Sequence, residues 1–124
     1  MVQLPSFEHT QVEKISGISE QIRSSFRSHK TRDVQYRLAQ LRKLYWGLKD
    51  NEDLLVEACK QDLGKPTFET YITEVGWCEN DILFMCNNLE KWAKDESAPD
   101  IPLMNKLFAP KIRKDPMGAI LVIG

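Results

Sequence analysis

The stretch DPMGAILVIG, residues 115–124, is the part of the sequence that decides the fold class. Pro116 at the second position predicts a tight turn over DPMG, residues 115–118. The following AILVIG, residues 119–124, is continuously apolar and rich in branched side chains, which predicts a strand covered on both faces of a parallel sheet. Such a strand needs neighbouring strands and crossover helices, and this sequence supplies none after it. We therefore expect the first strand of an incomplete sheet.

Upstream of this strand, apolar residues recur at spacings of three and four, which predicts four helices. The apolar stripe of the second helix contains Leu38, and that of the fourth contains Val75 and Ile82. The first predicted helix covers residues 10–27, and the second begins after the N-cap Thr31. The third begins at the N-cap Asn51 and stops at Gly64. The fourth covers residues 68–93 and follows the N-cap Thr67. Gly76, in the fourth, is expected to admit a neighbouring helix at close range.

The helical pattern breaks at KDESAPDIP, residues 94–102, which we interpret as a linker. LMNKLFAP, residues 103–110, predicts one short helical turn, and KIRK, residues 111–114, predicts a short strand with alternating exposure. The sequence therefore divides into a helical segment, residues 1–98, and a segment of linker and first strands, residues 99–124. The expected fold is mainly α, with four helices followed by a short hairpin-like strand and the incomplete sheet.

Charge is unevenly distributed along a chain whose net charge is −1. Residues 1–50 hold nine basic and five acidic side chains, residues 51–100 hold four and twelve, and residues 101–124 hold four and one. A nucleic-acid surface on the basic part is disfavoured, because the acidic middle would repel phosphates and no binding motif is present. We interpret the charges as solvated helix faces.

Cys59, Cys78 and Cys86 are an odd number of cysteines without a CxxC pattern or a neighbouring histidine ligand. They predict buried, free thiols in a reducing compartment. The start of the chain lacks the charged and apolar regions of a secretory signal. The longest wholly apolar run, AILVI, is far shorter than a membrane-spanning helix. We expect a cytoplasmic protein without a membrane segment in this sequence, and membrane association of a longer form would require a downstream segment.

Motifs for catalysis are absent from the sequence: it contains no GxGxxG, P-loop, GxSxG or HExxH. Its two histidines, His9 and His29, are not close in sequence to a cysteine. Carboxylates such as Glu74 and Glu79 fall on the predicted helices, and we interpret them as exposed groups that solvate helix faces or interact with helix dipoles. No catalytic residue and no metal site is predicted.

Four stretches of the sequence nevertheless resemble the amino-terminal part of aldehyde dehydrogenases, and most closely the class 3, fatty-aldehyde branch. They are SHKTRDVQYRLAQL (28–41), DLGKP (62–66), the Glu74-Val75 region of the long helix, and DPMGAILVIG (115–124). The resemblance covers roughly residues 10 to 124 with matching order and spacing. One departure is that Asp115 precedes Pro116 where the family usually has a glutamate.

The resemblance implies an α/β fold in which AILVIG is the first strand of a Rossmann-like cofactor domain. The end of this strand, Ile123 and Gly124, would lie at the edge of the dinucleotide cleft. NAD or NADP would be the cofactor of the full-length family, which is commonly homodimeric, and none is expected to bind this chain alone. The nucleophilic cysteine, the general-base glutamate and the oxyanion asparagine of the family have no counterpart in this chain.

Two functional hypotheses follow from this comparison. In the first, the chain is an amino-terminal fragment of an NAD(P)-dependent aldehyde dehydrogenase and is inactive alone. The parent reaction oxidises an aldehyde to a carboxylic acid through a cysteine thiohemiacetal and hydride transfer. In the second, it is a non-catalytic helical interaction module derived from that fold, which could pair through the exposed edge of AILVIG. The residues that select aldehyde length and distinguish NAD from NADP are expected downstream.

Overall fold

The computed structural model describes residues 3–6 and 8–122, and this part of the chain is mainly helical with a short two-stranded sheet. The predicted fold class is therefore confirmed. The elements in chain order are α1 (Val12–Arg27), α2 (Val34–Asp50), α3 (Glu52–Leu63), α4 (Thr67–Thr70), a π turn (Tyr71–Val75), α5 (Gly76–Trp92), β1 (Glu96–Ser97), a 3₁₀ turn (Leu103–Phe108) and β2 (Lys111–Ile112).

The amino-terminal end of α2 is capped by Asp33, so the prediction of Thr31 as N-cap was wrong. The carboxylate of Asp33 accepts hydrogen bonds from the backbone N–H groups of Gln35, at 3.3 Å, and Tyr36, at 3.0 Å. Both residue types are good caps, but a carboxylate also interacts favourably with the positive end of the helix dipole. This cap fixes the start of the helix that lines the cleft described below.

The carboxyl-terminal end of α3 agrees with the prediction, whereas the predicted cap at its amino-terminal end is not formed. Asn51 precedes the helix, but its side chain makes no capping hydrogen bond there; its Nδ2 donates instead to the carbonyl of Gly47 in α2, at 2.8 Å. At the other end, Gly64 adopts φ 67°, and its N–H donates to the carbonyl of Lys60. The predicted helix stop at this left-handed glycine is confirmed.

The fourth predicted helix is interrupted by the π turn, and the residue before its first turn is Pro66 rather than the predicted cap Thr67. The backbone N–H of Gly76 donates to the carbonyl of Tyr71, five residues earlier. A Cβ placed on Gly76 would lie 2.8 Å from that same carbonyl oxygen. The expectation that Gly76 admits a neighbouring helix was therefore wrong, because the close approach is to the preceding turn of its own helix.

The core lies where α2 packs against α5. Its buried hydrophobic residues among those described are Leu38 from α2, Val75 from the π turn and Ile82 from α5, all members of predicted stripes. The predicted stripe of α1 is different, because no residue of that helix is buried. The sequence pattern of α1 is amphipathic, but within this structure its apolar face remains in contact with solvent.

The carboxyl-terminal part carries a small antiparallel sheet in which Glu96 pairs with Ile112 and Ser97 with Lys111. The strand predicted within residues 111–114 is confirmed for two residues, and the helical turn predicted within 103–110 is confirmed as the 3₁₀ turn. The predicted alternation of exposure was wrong, because Lys111 and Ile112 are both exposed. The partner strand β1 falls in the stretch that was interpreted as a linker. That interpretation was wrong for Glu96 and Ser97.

The described part of DPMGAILVIG, residues 115–122, has no regular secondary structure. The turn predicted over residues 115–118 is not formed, although Gly118 adopts φ 123°. Residues 119–122 belong to no strand, since a strand requires a hydrogen-bonded neighbour and none lies beside them in the described part of the chain.

Candidate functional site

The two residues predicted to border a cofactor cleft, Ile123 and Gly124, lie outside the described residues. Their role therefore remains a prediction. No group of three or more histidine, cysteine, aspartate or glutamate side chains that could hold a metal ion occurs among residues 3–6 and 8–122. Within the same residues, no helix is long and apolar enough to cross a membrane.

The three cysteines are free, as predicted, but they are not all buried. Cys59 and Cys86 are half-buried, whereas Cys78 is exposed on α5. The prediction of burial was wrong for Cys78, whose side chain is exposed although it lies three residues after Val75 and four before Ile82.

An ion pair between a half-buried lysine and a buried glutamate joins the two core helices. The Nζ of Lys49 on α2 lies 2.8 Å from Oε2 of Glu79 on α5, and the Glu79 side chain is only 9% exposed. The hydrogen bond to the Glu79 carboxylate raises the pKa of Lys49 above its ordinary value of 10.5. The contribution of the Lys49 charge to stability is therefore full below that pH and is lost as the pH rises through the raised pKa.

The interpretation of Glu79 as an exposed acidic residue was wrong. The sequence does contain the signal, because Val75, Glu79 and Ile82 are spaced by four and three residues and therefore share one face of the helix. A glutamate on a buried face requires a partner, and the basic residue that provides it comes from another helix. This pair therefore acts as a structural link within the core.

A second ion pair connects the end of α3 to the π turn, where Lys65 donates to the carboxylate of Glu74 and to the hydroxyl of Thr73 at 3.3 Å. The hydrogen bond from Lys65 is the main reason why the pKa of Glu74 is below its ordinary value of 4.5. The Glu74 charge therefore stabilises the fold fully above pH 4.5, and this contribution is lost as the pH falls through the lowered pKa.

Replacing Lys65 by methionine should raise the pKa of Glu74 towards its ordinary value, because the main donor to the carboxylate is removed. An NMR titration of the Glu74 side-chain carboxyl carbon would measure the shift. Lys60→Met, on the exposed side of α3, is the matched control and should leave the Glu74 titration unchanged. Identical titrations in the Lys65 variant and the parent protein would show that the ion pair does not form in solution.

A charged cleft lies between the start of α2, the end of α5 and the segment after β2, and we name it the basic cleft. Its volume is about 380 Å³. Arg113 donates to both carboxylate oxygens of Asp95 at 3.4 Å, and this pair raises the pKa of Arg113. The charged and aromatic side chains that line the cleft are Arg32, Arg37, Trp92, Asp95, Arg113, Lys114 and Asp115.

An extended apolar surface follows α1 and the segment 119–121. The side chains of Ile15, Ile18 and Ile22 share a groove of about 280 Å³ with this segment. Ile120 and Leu121 remain 73% and 82% exposed. The whole chain has an accessible surface of 10676 Å² at a mass of 14.4 kDa. A folded monomer of this mass is expected to expose about 6,800 Å², so the excess is several thousand Å².

Curated relatives of this chain cover nearly its whole length. It is similar to the beta-apo-4'-carotenal oxygenase of Neurospora crassa, with 43% identity over 123 residues that make up 99% of this chain and 23% of that protein. The protein of the same name from Gibberella fujikuroi is 38% identical over 117 residues, 94% of this chain and 22% of that protein. Aldehyde dehydrogenase family 3 member B2 of Mus musculus is 39% identical over 102 residues, 82% of this chain and 21% of that protein. No protein-family model matches the chain.

The described part of the chain is a helical segment whose apolar faces on α1 and on residues 119–121 are not covered by other described residues. The resemblance seen in the sequence is confirmed, because the chain is similar to a segment of an aldehyde dehydrogenase of family 3. The chain spans about a fifth of the length of the curated relatives that it matches.

Proposed function

We propose that the chain is the amino-terminal segment of an NAD(P)-dependent aldehyde dehydrogenase and that it is catalytically inactive alone. The observation that carries this proposal is the coverage: the match to the Neurospora crassa relative includes 99% of this chain and 23% of that protein. The family's nucleophile, general base and oxyanion donor were assigned by resemblance to positions outside this chain, so the segment contributes scaffold rather than chemistry.

The surface of the segment supports this proposal. An excess of several thousand Å² of accessible surface is comparable to the area that large obligate interfaces bury. The exposed isoleucines of α1 and the exposed side chains of Ile120 and Leu121 are the kind of surface that a domain core normally covers. We infer that the remainder of a longer fold covers these faces.

In such a longer protein, Ile123 and Gly124 would border the cleft for NAD or NADP, at the carboxyl end of the first strand. The parent reaction would oxidise an aldehyde to a carboxylic acid in a cytoplasmic enzyme, with a homodimer as the assembly. Two of the relatives are named for beta-apo-4'-carotenal, which makes an apocarotenal one aldehyde to test besides long-chain alkanals.

The test is an activity assay of the purified chain of 124 residues, with NAD and NADP and with both classes of aldehyde. We expect no aldehyde-dependent formation of NADH or NADPH. Turnover that stays with the chain through a second, orthogonal purification would contradict the proposal. Sequencing the transcript beyond the codon for Gly124 provides an independent test, because a frame that continues into an aromatic-Asn-aromatic-Pro stretch would place this segment in an active enzyme.

The second candidate function is a non-catalytic helical interaction module, and the exposed apolar groove of α1 favours it. This function requires the free chain to bind a partner or a second copy through that groove. Analytical ultracentrifugation of the parent chain and of Ile18→Glu separates the candidates. A discrete oligomer that Ile18→Glu dissociates and Ser24→Glu leaves intact would support the module, whereas a monomer indifferent to both substitutions would count against it.

A further inference from the structure

We propose that the basic cleft is a binding site for a small oxyanion, a molecule that carries a phosphate or carboxylate group. This site is separate from the proposed dehydrogenase chemistry and depends only on residues described in this chain. It lies where the start of α2 meets the end of α5, and the segment after β2 closes its third side.

The charges of the side chains that line the basic cleft favour the binding of an anion. Arg113 is paired with Asp95, and Lys114 is paired with Glu96, so these two basic side chains are neutralised by carboxylates. Arg32 and Arg37 have no carboxylate partner among the described residues. The remaining acidic lining residue, Asp115, contributes to the raised pKa of Arg113. When Asp115 and the two paired carboxylates are counted, four basic and three acidic side chains leave the cleft with an excess of one positive charge.

The guanidinium group of Arg37 uses only part of its hydrogen-bonding capacity within the described protein. Its Nη2 donates to the carbonyl of Arg32 at 3.1 Å, which holds the guanidinium in place. Its Nε is buried and has no hydrogen-bond partner among the described residues. A buried donor without an acceptor is unfavourable, so the Arg37 guanidinium has hydrogen-bonding capacity that the described residues do not use. Guanidinium groups bind phosphate and carboxylate through charge-assisted hydrogen bonds, so the ligand chemistry follows from the donor set.

The volume of the basic cleft is large enough for a small organic molecule. A volume of about 380 Å³ falls in the range of small-molecule sites and leaves room beyond a bare phosphate ion. Trp92 forms part of the lining and packs edge-on against Phe84, with ring centroids 5.4 Å apart. The cleft therefore suits an oxyanion attached to a compact organic group, and phenyl phosphate is a suitable probe beside inorganic phosphate.

The experiment follows the arginine Nε–Hε resonances of the ¹⁵N-labelled chain while inorganic phosphate, and then phenyl phosphate, replaces chloride at constant ionic strength. We expect saturable shifts of the Arg37 and Arg32 resonances, with Arg42 on the same helix as an internal reference outside the cleft. Arg32→Gln, at an exposed position that does not threaten folding, should weaken the apparent affinity about tenfold. Lys43→Gln removes one charge from α2 away from the cleft and should leave the affinity unchanged.

The two probes also distinguish what is bound. Tighter binding of phenyl phosphate than of inorganic phosphate would support a small organic oxyanion, and equal binding would support recognition of the oxyanion group alone. Chemical-shift changes that rise linearly without saturation, or that are equal for Arg37 and Arg42, would indicate general electrostatic screening by the added anion. Either result would overturn the proposal. An unchanged affinity in Arg32→Gln would overturn it as well.

Discussion

Replacing Lys49 by methionine is expected to lower the melting temperature of the chain by about 5–10 °C, because it leaves the buried carboxylate of Glu79 without its partner. In the parent protein, Oε2 of Glu79 lies 2.8 Å from the Lys49 ammonium, while Oε1 is buried without a hydrogen-bond partner among the described residues. The variant therefore removes the one ion pair that compensates this charge. Thermal unfolding followed by circular dichroism measures the change.

Two further variants isolate the cause. Lys43→Met makes the same chemical change at an exposed position of α2 and should alter the melting temperature by no more than about 1 °C. Combining Lys49→Met with Glu79→Leu removes both charges and should recover most of the loss, because a buried ion pair can often be replaced by apolar side chains. A double variant that is less stable than Lys49→Met would show that Glu79 stabilises the core in some other way.

The sequence alone predicts the parts of this fold that depend on local periodicity. Leu38, Val75 and Ile82 lie on predicted stripes and form the core, and the stop at Gly64 follows from local backbone preference. Local chemistry did not distinguish Thr31 from Asp33 as the cap of α2, because either side chain can accept a free N–H. The π turn was not predicted, because the apolar stripe in the sequence of the fourth helix continues through these residues almost unchanged.

The features of the candidate sites depend on contacts between distant parts of the chain. The spacing of Val75, Glu79 and Ile82 could have identified a buried glutamate, but no local pattern assigns Lys49 as its partner. The pairing of β1 with β2 and the meeting of Arg32, Arg37 and Arg113 in the basic cleft likewise require the tertiary structure. Sequence patterns therefore located elements, whereas the sites arise from how those elements pack.

Replacing Gly76 by alanine is expected to destabilise the chain by about 1–2 kcal/mol, against the usual preference for alanine in helices. The new Cβ would lie 2.8 Å from the carbonyl oxygen of Tyr71, the acceptor of the hydrogen bond that Gly76 donates to form the π turn. Because this contact is with backbone, the turn itself must shift to relieve it. Val75, at the end of the turn, is buried in the core and would move with it.

Gly17→Ala and Gly47→Ala are the matched controls, because an added Cβ meets no atom within 4 Å at either position. Both should stabilise the chain by up to about 1 kcal/mol, as alanine does inside a helix. Urea unfolding of the three variants measures the difference in their free energies of unfolding.

If Gly76→Ala were as stabilising as the controls, the π turn would have to convert to a regular α-helix at little cost. The register of α5 relative to α4 would then not depend on Gly76. If the variant is destabilised as expected, the glycine is required because the carbonyl oxygen of Tyr71 leaves no space for a Cβ.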